Sequence, residues 1–189
     1  MNAGEQRSPD FLLLNPKGRI PLLETPFGSL TENPEILGDI ASLAPEGQFA
    51  PARDAGKLAR MREFNCLLFA TVHVAHAHGS RAARWAKAES ALQDSKAQMA
   101  GNMVAAFELI EQTLQIGRWV LGQDFSVADA YLPTFARWLA LDRVDTRALN
   151  RVLDHRARMA QRPAVQAVLA AEGILDSGNG IGKAGAEKP

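Results

Sequence analysis

From Pro51 onward the apolar residues of this chain recur at steps of three and four, and no stretch there alternates apolar with polar residues in the manner of a strand. That confines most of the 189 residues to helices. Leu58, Met61, Phe64, Leu68 and Val72 predict one face of a long helix over 52–78, closed by Gly79-Ser80. Met99, Met103, Phe107, Ile110 and Leu114 do the same for a second helix over 86–117. Both exceed the usual globular helix length, and long neighbouring helices of this kind pack antiparallel into a bundle. Farther on, Ser126 and Asp129 stand three apart at the head of an apolar run, which predicts a reciprocal capping box with Asp in the usual Glu position. Pro133 is expected to kink the helix that follows, and shorter helices are expected over 146–160 and 163–172, the latter opened by Pro163 and stopped by Gly173.

The first 45 residues read differently. Phe11 to Leu14 form an apolar run, either a helical turn or a docking segment, which Asn15-Pro16 ends. Ile20 to Glu24 predicts a short strand and Gly28 to Thr31 its hairpin partner, a pair that is marginal by itself. A proline at a strand head donates nothing to the ladder and restrains the residue before it, so Ile20-Pro21 can leave backbone groups free for a ligand or can be a plain edge feature. Ile36, Leu37, Ile40 and Leu43 then recur at helical spacing, with Asn33 expected as N-cap and Pro34 at the first helical position. The chain thus divides into an α/β unit over 1–45, a linker over 46–51, a helical domain over 52–175 and a Gly-rich tail over 176–189 that is expected to be disordered.

Lys plus Arg and Asp plus Glu both number 21, so charge gives no case for nucleic acid or an acidic membrane surface. No apolar run approaches the roughly 20 residues that span a bilayer, and residues 1–10 lack a signal-peptide core, which makes the cytoplasm the expected location. The lone cysteine, Cys66, sits beside Leu67, Leu68 and Phe69 and is expected to be a buried, structural thiol. His73 and His76 share a helix face and could be read as metal ligands or as structural histidines, but nothing in the sequence fixes a third partner, and no metal site is expected.

Four segments in order carry a family resemblance. They are Asn15-Pro16-Lys17-Gly18-Arg19-Ile20-Pro21, Leu30-Thr31-Glu32-Asn33-Pro34, Leu121 to Asp129, and Arg162 to Gly173. Together they resemble the glutathione S-transferases, nearest the bacterial beta class. The resemblance implies a mostly α fold, with an incomplete thioredoxin-like α/β domain followed by an all-helical domain. It also implies glutathione as co-substrate, a small electrophile as second substrate and a homodimer. By matching position, Ile20 would pair its backbone with the cysteinyl part of glutathione across a cis Pro21, and Glu32 and Asn33 would grip the γ-glutamyl end. Family members usually have Ser or Gly where Asn33 stands. His73 matches a histidine near the ligand thiol, and Trp138 an aromatic of the second-substrate pocket, although its spacing equally permits core packing. Such proteins begin with a further strand, helix and strand that hold the principal thiol-activating Cys, Ser or Tyr. That part has no counterpart here, which suggests a fragment or an altered start, with a weakened dimer and impaired catalysis as expected consequences. A glutathione-binding or interaction module without turnover is the alternative.

Overall fold

The computed structural model describes residues 4–45, 47–114, 117–177 and 180–183. A 3-10 turn, Glu5–Arg7, leads into the short helix α1, Pro9–Leu14, which is capped by the Ser8 hydroxyl accepting from the Phe11 amide at 3.2 Å. Strands β1, Leu22–Thr25, and β2, Gly28–Thr31, pair antiparallel with Leu22 opposite Thr31 and Thr25 opposite Gly28. β1 begins two residues later than the sequence suggests. Ile20 and Pro21 stand just before it, joined by a cis peptide bond.

Helix α2 runs Asn33–Ser42. Its cap is Glu32 rather than the expected Asn33, because the Glu32 carbonyl accepts the amides of both Glu35 and Ile36 at 3.1 Å. Asn33 is therefore the first helical residue.

Helix α3 is Ala55–Leu67 and starts three residues later than expected, since the Asp54 carboxylate accepts the Lys57 amide at 2.9 Å and so fixes the cap. α3 passes without a break through a π-helical segment, Leu68–Val72, into α4, His73–Ser80. Met61, Phe64, Leu68 and Val72 face the core as the spacing requires. Cys66 is exposed, contrary to expectation. Burial along a helix follows angle and not chain adjacency, and position 66 lies two residues from both Phe64 and Leu68, on the far side of the helix.

After a 3-10 turn at Ala82–Arg84 come α5, Glu89–Thr113, then α6, Val127–Ala136, α7, Trp138–Leu141, α8, Asn150–Ala160, and α9, Pro163–Ala171. α5 and α8 are shorter than their apolar patterns suggest, as frayed pattern ends usually are. The core is one cluster that joins α3, α5, α6 and α8 and includes Ala41 from α2. The segment before α3 is fastened to the bundle, with the Val127 amide donating to the Phe49 carbonyl at 2.9 Å and the Phe49 and Phe125 rings 6.2 Å apart.

The capping box of α6 forms as the sequence predicts. The Asp129 carboxylate accepts the Ser126 amide at 2.9 Å and, beyond the box, the Val120 amide at 2.8 Å and His155 Nε2 at 2.9 Å. At the head of α8 a carboxylate from another helix takes the cap's place. Glu111 of α5 accepts the amides of Arg151 and Val152 at 2.9 and 3.0 Å.

The Gly-rich tail over 176–189 is described in part. Ile174–Ser177 and Gly180–Lys183 pair as an antiparallel hairpin, β3 with β4, Ser177 opposite Gly180. Residues 178–179 and 184–189 of that tail lie outside the described residues. Among the described residues no helix is long and apolar enough to cross a membrane.

Candidate functional site

Glu32 has φ 73° and ψ 120°, a conformation that non-glycine residues rarely adopt. Backbone strain of this kind persists only where the surroundings enforce it, and it concentrates at binding sites. The Glu32 carboxylate is held by Lys17, whose ammonium donates to it and to the Thr31 hydroxyl, each at 2.6 Å. Lys17 is positioned in turn by Asn15, which is buried: the Asn15 carboxamide accepts the Lys17 amide at 3.2 Å and donates to the Arg19 carbonyl at 2.6 Å. One asparagine thus organises the turn that precedes Ile20-Pro21.

Tyr131, on α6, reaches this corner from the helical part. Burial raises its pKa, a hydrogen bond with Asn33 works the other way, and the Glu32 charge raises it again, so the phenol stays protonated and can donate. Sequence reading passed over Tyr131. It sits two residues beyond Asp129, in a helix whose position relative to α2 has no local signature.

From Tyr131 a ladder of rings leads across the molecule. Tyr131 meets Phe135 edge to face at 4.8 Å, Phe135 meets Trp138 at 4.9 Å, and Trp138 stacks on His76 at 4.1 Å with 20° between planes. His73 lies 5.9 Å from Trp138 and nearly parallel to Phe69 at 6.3 Å. His76 Nδ1 is fixed by the buried Asp142 at 2.7 Å. Trp138 is half-buried and packs against the core.

His73 is the first residue after the π segment and is half-buried. π-helical insertions recur at functional sites because they re-aim the side chains that follow. Arg81 Nη1 lies 3.4 Å from His73 Nε2. Burial pushes the imidazole pKa below the ordinary histidine value, and the charges of Arg81, His76, Arg84 and Arg19 push it further. The ring is therefore neutral at neutral pH. The charge of Arg19, next to Ile20, is among those that act on His73, so the strand head and the start of α4 share one electrostatic environment.

His73 and His76 belong to different surroundings, one beside Arg81 and the other tied to Asp142. Among the described residues no group of three His, Cys, Asp or Glu is arranged to hold a metal ion. Two cavities of about 580 and 210 Å³ lie elsewhere, one beside Lys57 and Asp124 and one beside Arg118 and His155. Neither includes a residue of the corner formed by Glu32, Asn33 and Tyr131 or of the ring ladder.

No family model matches the chain. Known structures and sequences do. A glutathione transferase homologue from Sulfitobacter, solved with bound glutathione, is 39% identical with a TM-score of 0.83, covering 90% of this chain and 82% of that one. A bacterial beta-class glutathione S-transferase from Sphingomonas chungbukensis is 31% identical with a TM-score of 0.72, covering 87% of this chain and 79% of that one. Glutathione S-transferase GstA of Escherichia coli O157:H7 is 29% identical over 167 residues, 87% of this chain and 79% of that protein.

Proposed function

This chain belongs to the glutathione S-transferase superfamily, and from that premise we propose that it binds glutathione between the Ile20-Pro21 turn and α4, joining it to small electrophiles or using it to reduce a disulfide or peroxide. The strained backbone of Glu32 at the head of α2 carries this reading. There the carboxylate is available to a ligand ammonium, which would displace the Lys17 side chain. Next to it the Asn33 amide opens the helix, where a ligand carboxylate is favoured by the unpaired N–H groups and the dipole. The backbone of Ile20 precedes β1 and so stands outside the strand ladder, open to the cysteinyl unit. Pro21 adds no donor that would compete.

On the chemical side, a thiol becomes nucleophilic by losing its proton. His73, held neutral, is the base we assign to accept that proton before the thiolate attacks the electrophile. Trp138 would form the wall against which the second substrate lies. The protein is further proposed to be a cytoplasmic, two-fold dimer. Sedimentation velocity of the full chain checks the dimer, and cell fractionation the location.

The test pairs retention on immobilised glutathione with a conjugation assay using 1-chloro-2,4-dinitrobenzene. Retention with turnover is the expected result. Retention without turnover would make the protein a glutathione-binding module, and the absence of both would sink the proposal.

A further inference from the structure

We infer that the second-substrate side of this site is built for an anion, specifically a flat aromatic electrophile bearing a carboxylate, seated against Trp138 and Phe69 with its charge between Arg81, Arg84 and Arg7. The inference rests on the glutathione reading given above and adds the substrate class.

Arg81 stands beside His73, and the charges of Arg84 and Arg19 also act on that ring. Arg81 approaches the His73 ring at 3.4 Å, and Arg84 follows one 3-10 turn later, its amide donating to the Arg81 carbonyl at 3.0 Å. The Arg7 side chain lies against Gly18, so closely that a β-carbon at Gly18 would meet its Cδ at 3.0 Å and Nη1 at 3.1 Å. This contact brings Arg7 beside Arg19, whose carbonyl is held by Asn15. The Arg84 guanidinium is held below its ordinary range by partial burial and then by the charges of Arg81, Arg19 and Arg7, so each of those three acts on Arg84.

Among the described residues none of these four arginines has a carboxylate partner, whereas other cations of the chain do. Lys17 pairs with Glu32, Lys57 with Asp124, Arg60 with Glu63, Arg147 with Asp145 and Arg151 with Glu111. Like charges gathered without a counter-ion repel, and a bound anion relieves that repulsion. The glycyl carboxylate of glutathione supplies a single negative charge, and four guanidinium groups exceed it. Their planar forks suit a carboxylate in two-point contact. The adjoining wall is aromatic, with Phe69 nearly parallel to His73 and part of Trp138 open. A ligand that satisfies both features is a flat ring with a carboxylate on its rim.

Calorimetric titration of the full chain tests this with S-(4-carboxy-2-nitrophenyl)glutathione, its neutral 4-carbamoyl counterpart and glutathione itself. The carboxylate conjugate should bind about tenfold more tightly than the carbamoyl one, as charge-assisted contacts to arginine allow, and the margin should shrink as salt is raised. In Arg84→Gln combined with Arg7→Gln, both at exposed positions, the margin should fall to about twofold or less while glutathione affinity stays put. Equal affinity for the two conjugates, or a preference that survives the double substitution, overturns the inference. Titration with 4-chloro-3-nitrobenzoate and its amide, without glutathione, separates the two readings. Preference for the benzoate with no binding of glutathione would overturn the glutathione reading and leave the anion site standing. Glutathione binding with no preference in either pair would do the reverse.

Discussion

Glu32 and His73 are the two residues whose surroundings depart furthest from what their neighbours in sequence require. Glu32 occupies a backbone conformation that glycine would adopt without cost, yet it carries a charge aimed at a lysine in the preceding turn. Its ion pair with Lys17 is more than two-fifths exposed on both sides, so it adds little to stability and a ligand ammonium can exchange for it. Glu32→Lys should therefore abolish retention on immobilised glutathione while shifting the unfolding midpoint little; unchanged retention would show that the γ-glutamyl grip lies elsewhere. His73 has the opposite character, a base kept from charging. Its folded pKa is depressed by burial and by the arginines, so between the depressed and the ordinary value the unfolded chain binds more protons than the folded one. The stability associated with a neutral ring is complete above the ordinary histidine value, about 6.5, and is lost as pH falls through the depressed folded value. Denaturant titrations from pH 7.5 to pH 4.5 should show wild type losing more stability than His73→Gln. Parallel losses in the two proteins would assign the titration to another group.

Helices α6 and α8 illustrate how a carboxylate can organise an element it does not belong to. Asp129 closes the α6 cap and also gathers Val120 from the preceding loop and His155 from α8, while Glu111 of α5 caps α8. Asp129 is fully buried, so removing it leaves several donors without partners in a site that water does not reach. Asp129→Ala is expected to cost about 3 kcal/mol, measured by denaturant unfolding, with Asp129→Asn milder because one oxygen remains to accept. A loss no greater than that of an ordinary exposed cap, about 1 kcal/mol, would mean that the node is dispensable. The Ser126 and Asp129 box was legible because both partners lie within one helical turn. The apolar faces of α3 and α5 were legible for the same reason, since a period of 3.6 is visible along a single segment. The π segment over Leu68–Val72 was not, for it changes the hydrogen-bond step without changing the residue types. Glu32 and Asn33 enter as candidates through the family resemblance, whereas Tyr131, Arg81 and Arg84 become neighbours of the candidate site only when α6 and the turn after α4 have been packed. Cys66 was misjudged because chain adjacency to Leu67 and Leu68 says nothing of the angle at which it leaves the helix.

The division at 46–51 can mark two folding units or one. We propose it as a boundary of architecture and not of cooperativity. Two strands of four residues each form a sheet too small to persist alone. Their cover, α2, packs on both α3 and α6, and Ala41 of α2 belongs to the same buried cluster as Phe107 and Leu132. Phe49 joins the connecting segment to the start of α6, its carbonyl accepting the Val127 amide. The N-terminal part thus draws its stability from contacts with the bundle, and the candidate site, assembled from both, exists only while those contacts hold. Thermal unfolding should accordingly give a single transition, with the far-ultraviolet signal of the helices and the fluorescence of Trp138, isolated by Trp85→Phe and Trp119→Phe, changing together. Glutathione should move both curves upward by the same interval, since a ligand that binds only the assembled state stabilises everything coupled to it. A fluorescence transition well below the helical one would instead reveal an N-terminal unit that detaches before the bundle melts, and the site would then be a feature of a sub-state with its own, lower stability.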